Sequence, residues 1–411
     1  MAKPTVLVSG AGIAGPALAF WLGRIGYHVV VLELADGIRP GGQTVDLRGA
    51  GRHVTERMGL LDQMRERSLR QRGIAWVHAD GRRRAEMPVE AFHGNGPVSQ
   101  LEILRGDLVD VLYGATAAGT DYRFGSRITQ LAPSDDAVLA TLSDGSTLRA
   151  DLVVGADGPH STVRRLVFGP EEKFVRALGG YNAWFSAPDT VGLDGWYLMY
   201  QAPGGRNASL RPSHDPAIAK AGLAFRSDPI RYDRADLDAQ RDLLAARFAG
   251  AGWQSDALVA AAREADDFYF DAIVQIQMDT WSCGRVTLVG DAGYCASPLS
   301  GMGTSLALVG AYVLAGELGP AHDDTIDGGL LADALGRYAT VMRPYVAKCQ
   351  DLPNTIDRYL PMSASDIRMT ALAMKYMQRW PFRPIAERKW FTVAESVDLP
   401  DYPALRPSQH A

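Results

Sequence analysis

The first structural signal along the chain is two short runs that are apolar on both faces, Thr5 to Ser9 and His28 to Leu32, separated by an apolar helical stretch from Pro16 to Ile25. Strands without alternation are those buried on both sides, so this strand, helix, strand unit predicts a parallel sheet covered by helices. Two further runs of the same kind, Leu152 to Gly155 and Arg285 to Val289, predict more strands of that sheet. Between them the pattern changes. Val54 to Gln71 reads as an arginine-rich helix, and Gly106 to Ala118 as another. Asp80-Gly81 and Asp144-Gly145 sit between apolar flanks and predict hairpins over Trp76 to Glu86 and Val138 to Leu148. From Leu178 to Met278 alternating aromatic stretches such as Trp196 to Tyr200 predict a second sheet, with one helix near Leu237 to Ala249. A long apolar helix is expected from Thr304 to Leu318, then a helical end over Leu330 to Arg379, kinked at Pro344. In its last helix Ile367, Ala371, Met374 and Met377 keep helical spacing, which predicts a face packed on the body.

Composition narrows the class. The chain has 411 residues, 47% hydrophobic and 22% charged, so it is neither a disordered tail nor a coiled coil. A net charge of −5 argues against general affinity for nucleic acid or anionic membranes. Arg52, Arg57, Arg65, Arg67, Arg70 and Arg72 therefore read as a solvated helix face paired with Glu56, Asp62 and Glu66. Three cysteines, Cys283, Cys295 and Cys349, form no Cys-x-x-Cys pair, which fits a reducing, cytoplasmic setting. The N-terminus lacks the pattern of a signal peptide, and no apolar run is long enough to span a membrane. No histidine or cysteine spacing suggests a metal site. A Gly-x-Ser-x-Gly elbow, the mark of many hydrolases, does not occur. Glycine stands out at 43 of 411, above the usual share of about 7%, and it is concentrated in a few loops.

The first such loop is Gly10-Ala11-Gly12-Ile13-Ala14-Gly15, between a strand and a helix. Gly10 permits the tight turn, Gly12 lets backbone approach a pyrophosphate, and Gly15 lets the helix pack on the strand. Glu33, at the end of the second strand, is placed to accept hydrogen bonds from a ribose diol. This order predicts an adenine dinucleotide and leaves NAD and FAD open. Two more glycine turns lie far along the chain: Asp157-Gly158-Pro159-His160-Ser161-Thr162-Val163-Arg164, and Gly290-Asp291-Ala292-Gly293-Tyr294 with Pro298 and Gly301-Met302-Gly303. They would be superfluous for NAD alone.

With these motifs the sequence resembles the class A flavoprotein aromatic hydroxylases, which have the fold of para-hydroxybenzoate hydroxylase, and is most similar to their tetracycline-inactivating branch. The resemblance implies an α/β architecture: a Rossmann-like FAD-binding domain in three β-β-α layers, an inserted mixed-sheet substrate domain and a C-terminal helical segment. The implied division is 1–72, 101–175 and 281–350 for the FAD-binding parts, 73–100 and 176–280 for the substrate domain, and 351–411 for the helical end.

It also implies that FAD is held by Gly10, Gly12, Ala14, Gly15 and Glu33, with Asp157 and Gly158 near both the FAD pyrophosphate and a transient NAD(P)H. Asp291 corresponds to the aspartate on the ribityl chain, Pro298 to the proline beside the flavin ring, and Gly301, Gly303 and Thr304 to the turn and helix N-terminus facing the isoalloxazine carbonyls. Arg39, Asp46 and Arg105 match residues that contact the nucleotide cofactors. The chain departs from the family at Leu34, often a base, at Tyr294, often histidine, at Ser305, often asparagine, and at Gly310, often aspartate.

The implied activity is an NAD(P)H-consuming hydroxylation of an aromatic or polycyclic small molecule, a natural product or antibiotic, through a flavin C4a-hydroperoxide formed with molecular oxygen, by a monomer or homodimer. Trp184, Tyr197, Met199 and Arg211 from the middle sheet are candidate substrate-lining residues, and no catalytic acid or base is assigned. His160 reads as a surface loop residue and Cys295 as a small buried thiol. The alternatives left open are another flavoenzyme, such as a reductase, a halogenase or a ring-expanding oxygenase, and a non-catalytic protein that binds flavin or ligand.

Overall fold

The computed structural model describes residues 3–94, 98–323, 325–379, 381–386, 393 and 396–406. The doubly apolar runs form one six-stranded sheet in the order Ser282–Cys283, Val286–Leu288, Leu152–Gly155, Thr5–Ser9, His28–Leu32 and Asp121–Arg123. Its pairings are parallel except at the Ser282–Cys283 edge. Val8 stands between Val31 and Val154 in register, and all three are fully buried.

One face is covered by helix Ala14–Arg24, whose Leu18, Trp21 and Leu22 are completely enclosed, and by helix Gly303–Leu318. That second helix is buried on every side from Thr304 to Ala315, as an element apolar all round must be, because helices Ala14–Arg24, Gly49–Met58 and Gly328–Gln350 pack about it. The opposite face carries an antiparallel meander, Ile128–Pro133, Val138–Leu142 and Thr147–Ala150, whose inward Val138, Ala140 and Leu142 join the same core. The result is the three-layer β-β-α arrangement expected from the sequence.

A second, seven-stranded sheet runs in the order Tyr269–Ile276, Val175–Pro188, Ile218–Arg226, Arg206–Pro212, Trp196–Ala202, Gly73–Val77 and Arg83–Pro88. The early hairpin joins it through a parallel pairing of Gly73–Val77 with Trp196–Tyr200. Two helices, Leu237–Phe248 and Ser255–Glu264, cover one face and bury Tyr181, Phe185, Leu210, Leu223 and Phe225 against Leu244, Phe248 and Leu258. A small antiparallel pair, Thr44–Asp46 with Glu102–Leu104, lies between the two large sheets.

Several expectations are corrected. The arginine-rich stretch is two helices, Gly49–Met58 and Leu61–Glu66, because Gly59 closes the first in a left-handed conformation with φ of 75°. Arg52 and Arg65 pair with Glu56 and Asp62, but Arg57 turns inward to the Tyr312 hydroxyl and the Pro400 carbonyl. The second sheet carries two helices where one was expected, divided by Gly250, Gly252 and Trp253, all at positive φ. The hairpin at Asp144-Gly145 has a third strand, Ile128–Pro133. Helix Gly328–Gln350 keeps Pro344 inside it, and the C-terminal helices that follow are separated around Pro353 and Pro361, where the preceding leucines are pushed out of helical geometry. The last helix, Ala364–Tyr376, does lay Ala371 and Met374 on the Trp76 and Met87 cluster, with Met377 just beyond it. No helix among the described residues is long and apolar enough to cross a membrane.

Candidate active site

The parallel sheet ends in a cradle where the three distant glycine turns touch. Gly10, at φ of 107°, leaves the first strand so tightly that a methyl group on it would stand 2.6 Å from the Ala156 carbonyl oxygen. This closeness sets the first turn directly against Asp157. A side chain at Gly15 would overlap the Gly10 carbonyl, so helix Ala14–Arg24 reaches its strand only with glycine there. Gly290, at φ of 65°, packs over Ala14, where an added methyl would come 3.2 Å from the Ala14 Cβ. Gly303 in turn faces the Asp291 carboxylate.

The acids of the cradle are held by backbone donors. Glu33 accepts from the Ala11 and Ala35 N–H groups at 2.9 and 3.0 Å. Asp157 accepts from the Thr162 and Val163 N–H groups at 2.9 and 3.2 Å and from the Ser161 hydroxyl, which organises the whole turn. Asp291 opens a short helical turn, and burial pushes its carboxyl up against the opposing pull of Cys295 and Arg105.

Cationic and donor groups face the same space. Arg105 begins helix Arg105–Gly114 with its N–H bonded to the Gln43 carbonyl at 3.0 Å, and its guanidinium lies over Gly12. The guanidinium makes no hydrogen bond or ion pair among the described residues, and burial together with the nearby Arg39 lowers its pKa. Arg39 itself is exposed at the mouth of the loop. Helices Ala14–Arg24 and Gly303–Leu318 both begin without a side-chain cap, leaving N–H groups available for an anion. A half-buried guanidinium without a carboxylate, a glycine face that a side chain would close and two uncapped helix starts together fit a pyrophosphate and a polar ring edge. These residues are compatible with FAD. Pro298 lies in a short turn after Ser297, and Gly301, with Asp46 beside it, leads to Thr304. Gly158, at φ of 80°, lies in open space at the turn beyond Asp157.

The face of the seven-stranded sheet away from its two helices looks towards this loop. Period-two alternation puts Trp184, Tyr197, Met199 and Arg211 on that one face. A row runs across the strands from Trp184 through Gly222 and Ser209 to Met199 and Trp76, with Gly222 bare because the Trp184 ring fills its side-chain volume. Beside it the Arg211 guanidinium lies 3.9 Å over the Tyr197 ring and donates to Thr44 Oγ1 at 2.6 Å.

The sequence reading missed four features of this face. Lys220 reaches towards Gly41 while donating to Ser186 and Asp267 at 2.7 and 3.0 Å. Asn207 and Gln201 donate to the Tyr359 carbonyl and so fix the C-terminal segment across the sheet. Tyr359 packs against the cluster that contains Tyr197 and Met199, and burial, with Tyr197 adding to it, raises its pKa. Glu102, 1% exposed, stands behind Arg211. Alternation in Asn207, Ser209 and Arg211 against Ala208 and Leu210 carries a legible signal for the polar face; nothing local marks Tyr359.

His160 is also corrected. It is half-buried, with Nδ1 3.1 Å from Glu171 and Nε2 2.6 Å from Asp271, so it ties the Asp157 turn to the edge of the second sheet. Cys295 is buried, and its thiol is raised well above the ordinary value by burial and Asp291. Two surface depressions of about 400 and 460 Å³ lie elsewhere, one lined by Leu69, Asp194 and His214 and one by Phe174, Trp281 and Arg343, and neither contains a residue of the Arg211 group.

Comparison with known proteins agrees with this geometry. Residues 3–344 match the family model described as FAD binding domain. A flavin-dependent monooxygenase of Legionella longbeachae is 40% identical over 83% of this chain and 85% of its own length. An FAD-dependent monooxygenase of Sarocladium schorii is 32% identical over 98% of this chain and 99% of its own. Among solved structures, tetracycline destructase Tet(55) superposes with a TM-score of 0.81 at 35% identity, covering 98% of this chain and all of that one (100%).

Proposed function

The chain belongs to the FAD binding domain family and is an FAD-dependent monooxygenase, and from that premise we propose that it uses NAD(P)H and molecular oxygen to hydroxylate a polycyclic or aromatic small molecule bearing an acidic enol or phenol. The observation that carries the substrate class is the Arg211 guanidinium stacked on Tyr197, on a sheet face that combines the rings of Trp184, Tyr197 and Trp76 with buried polar groups. A flat ring system matches Trp184, Met199 and Trp76, and a negatively charged oxygen matches Arg211. The likeness to tetracycline destructases supports a fused-ring substrate of this type.

Gly10, Gly12, Ala14, Gly15 and Arg105 would hold the FAD pyrophosphate, Glu33 the adenosine ribose, Asp291 the ribityl chain, and Pro298 with Gly301, Gly303 and Thr304 the ring edge. Asp157 and Gly158 stand where NAD(P)H would pass, with Arg39 and Asp46 near the nucleotides. Bound FAD supplies the electron transfer and the activation of oxygen. The protein's own contribution is orientation and exclusion of water. Arg211 and Tyr197 fix the substrate oxygen, and the apolar row presents its ring to the flavin loop. The Tyr359 segment, tied down by Asn207 and Gln201, closes the far side against solvent.

The direct test is NAD(P)H oxidation by the yellow holoenzyme with fused-ring enols and with their O-methyl ethers. The reading predicts stimulation by the free enols and little by the ethers. Equal stimulation by both removes the role given to Arg211, and oxidation yielding only hydrogen peroxide with every compound removes the hydroxylase.

A further inference from the structure

Directly behind Arg211, two acids face each other across the small strand pair. Asp46 and Glu102 are register partners, so their side chains leave the same face at one level. Both are enclosed, Glu102 almost completely. Glu102 Oε2 accepts from Gln71 Nε2 and lies 3.4 Å from Arg211 Nη1, while Oε1 meets no donor among the described residues. Asp46 is held by Arg48 Nη2 at 2.7 Å and by the Ser99 N–H at 3.3 Å. The orphaned Glu102 oxygen has the Asp46 carboxyl for a neighbour, and a proton between the two carboxyls would give it a partner.

We propose that Asp46 and Glu102 share one proton, and that this proton sets the positive charge Arg211 presents to the substrate, making Glu102 the residue that selects an anionic oxygen. The charge balance is simple. With the proton in place, the guanidiniums of Arg48 and Arg211 face a single carboxylate, and one positive charge remains for the cleft. Without it the four groups are neutral, and Arg211 turns its charge inward. The charged groups facing the pair are Arg48 and Arg211, with Gln71 and Ser99 as uncharged neighbours, and Thr44, Tyr197 and Tyr359 lie around Arg211.

Burial, and then the adjoining Asp46, raise Glu102 to about 8. Asp46, although buried, is held low by Arg48. The proton therefore belongs to Glu102 at neutral pH and leaves as the solution turns mildly alkaline. Asp46 lies close to Gly301, so the same switch stands between the flavin loop and the substrate face.

This inference rests on the substrate face assigned above, and its test separates the two. The oxidised holoenzyme is titrated between about pH 6 and 10 with 2-hydroxy-1,4-naphthoquinone, which is ionised throughout, and with neutral 1,4-naphthoquinone, with binding read from tryptophan and flavin fluorescence. Affinity for the ionised probe is expected to fall about tenfold as the pair loses its proton, while the neutral probe shows no trend. In E102Q, whose amide donates to Asp46 and still accepts from Gln71, the pH trend is expected to vanish with the flavin spectrum unchanged. Infrared titration of the ligand-free holoenzyme supplies a second reading: a carboxylic-acid carbonyl band that disappears over the same pH range and is missing in E102Q. Affinity for the ionised probe that ignores pH, or a titrating band that survives E102Q, overturns the proposal and leaves the substrate face standing. Failure of both probes to bind the wild-type cleft overturns the substrate face and the proposal with it.

Discussion

The Tyr294 hydroxyl occupies the volume in which a side chain at position 310 would begin. A methyl group placed on Gly310 would overlap that oxygen and stand 3.2 Å from Tyr294 Cζ. Tyr294 then hydrogen bonds to Tyr338 at 2.9 Å, and Tyr338 to the Leu288 carbonyl at 3.0 Å. The two positions where the resemblance leads one to expect histidine and aspartate, Tyr294 and Gly310, are thus coupled: the larger ring on one side requires the bare backbone on the other.

Gly310→Ala should therefore destabilise the protein by about 1–3 kcal/mol through overpacking, although alanine is the better helix former by about 1 kcal/mol. In a Tyr294→His background the same change should approach neutrality. Denaturant midpoints of the two single variants and the double variant measure the coupling, and simple additivity would contradict it.

The Asp157 turn yields a prediction about cofactor retention. Asp157→Ala removes the acceptor for Ser161, Thr162 and Val163 at the start of helix Thr162–Val167. A loss of about 1 kcal/mol is expected from the hydrogen bonds withdrawn from the first turn. Flavin released on dialysis should exceed that of wild type, measured by absorbance of the filtrate. Retention equal to wild type would show that the turn contributes nothing to FAD affinity.

His160 makes stability depend on pH. It is raised above its ordinary value because hydrogen bonds and charge from Asp271 and Glu171 outweigh its burial. A raised histidine contributes fully below its unfolded value of about 6.5 and loses its contribution as pH climbs through the folded value. Glu171, also buried, is brought down to about 2 by His160 and Arg234, so its share is present above its ordinary value and lost only in strong acid. Unfolding free energy should consequently decline from mildly acidic to alkaline pH, with Tyr232, Tyr269, Arg164 and Arg234 fixing the geometry around the pair. Asp271→Asn should flatten that decline and cost about 1–3 kcal/mol where His160 is charged. An unchanged slope would remove His160 as its source.

At the substrate face, Arg211→Ala should raise KM for an enolic substrate by about 10- to 100-fold, with a smaller effect on kcat, because a partly buried charge contact is lost. Arg211→Lys should recover little, since an ammonium cannot stack on Tyr197 and reach Thr44 in the same pose. Full recovery by lysine would mean that charge alone matters there.

Much of this was legible in the sequence, for physical reasons that differ between parts. The parallel sheet announces itself because Thr5–Ser9, His28–Leu32 and Leu152–Gly155 are buried on both faces and must be apolar throughout. The cofactor turns are equally visible, since Gly10 and Gly290 need positive φ and Gly15 has no room for a side chain. Trp184, Tyr197, Met199 and Arg211 share one face, as alternation along their strands requires, but alternation predicts a face and not what lies opposite it. Tyr359 and the pairing of Asp46 with Glu102 depend on contacts between segments hundreds or tens of residues apart, for which no local pattern exists. The single helix expected from Val54 to Gln71 failed because helical periodicity continued across Gly59, whose left-handed turn outweighs it. His160 was misread because its partners, Glu171 and Asp271, belong to other elements.

The most direct test of the account is the mass of the product formed from a fused-ring enol by the holoenzyme with NAD(P)H under isotopically labelled dioxygen. Incorporation of a single labelled oxygen atom, in step with NAD(P)H consumed, is the predicted result. A product carrying unlabelled oxygen from water, or substrate recovered unchanged while all the reducing equivalents pass to hydrogen peroxide, would contradict it.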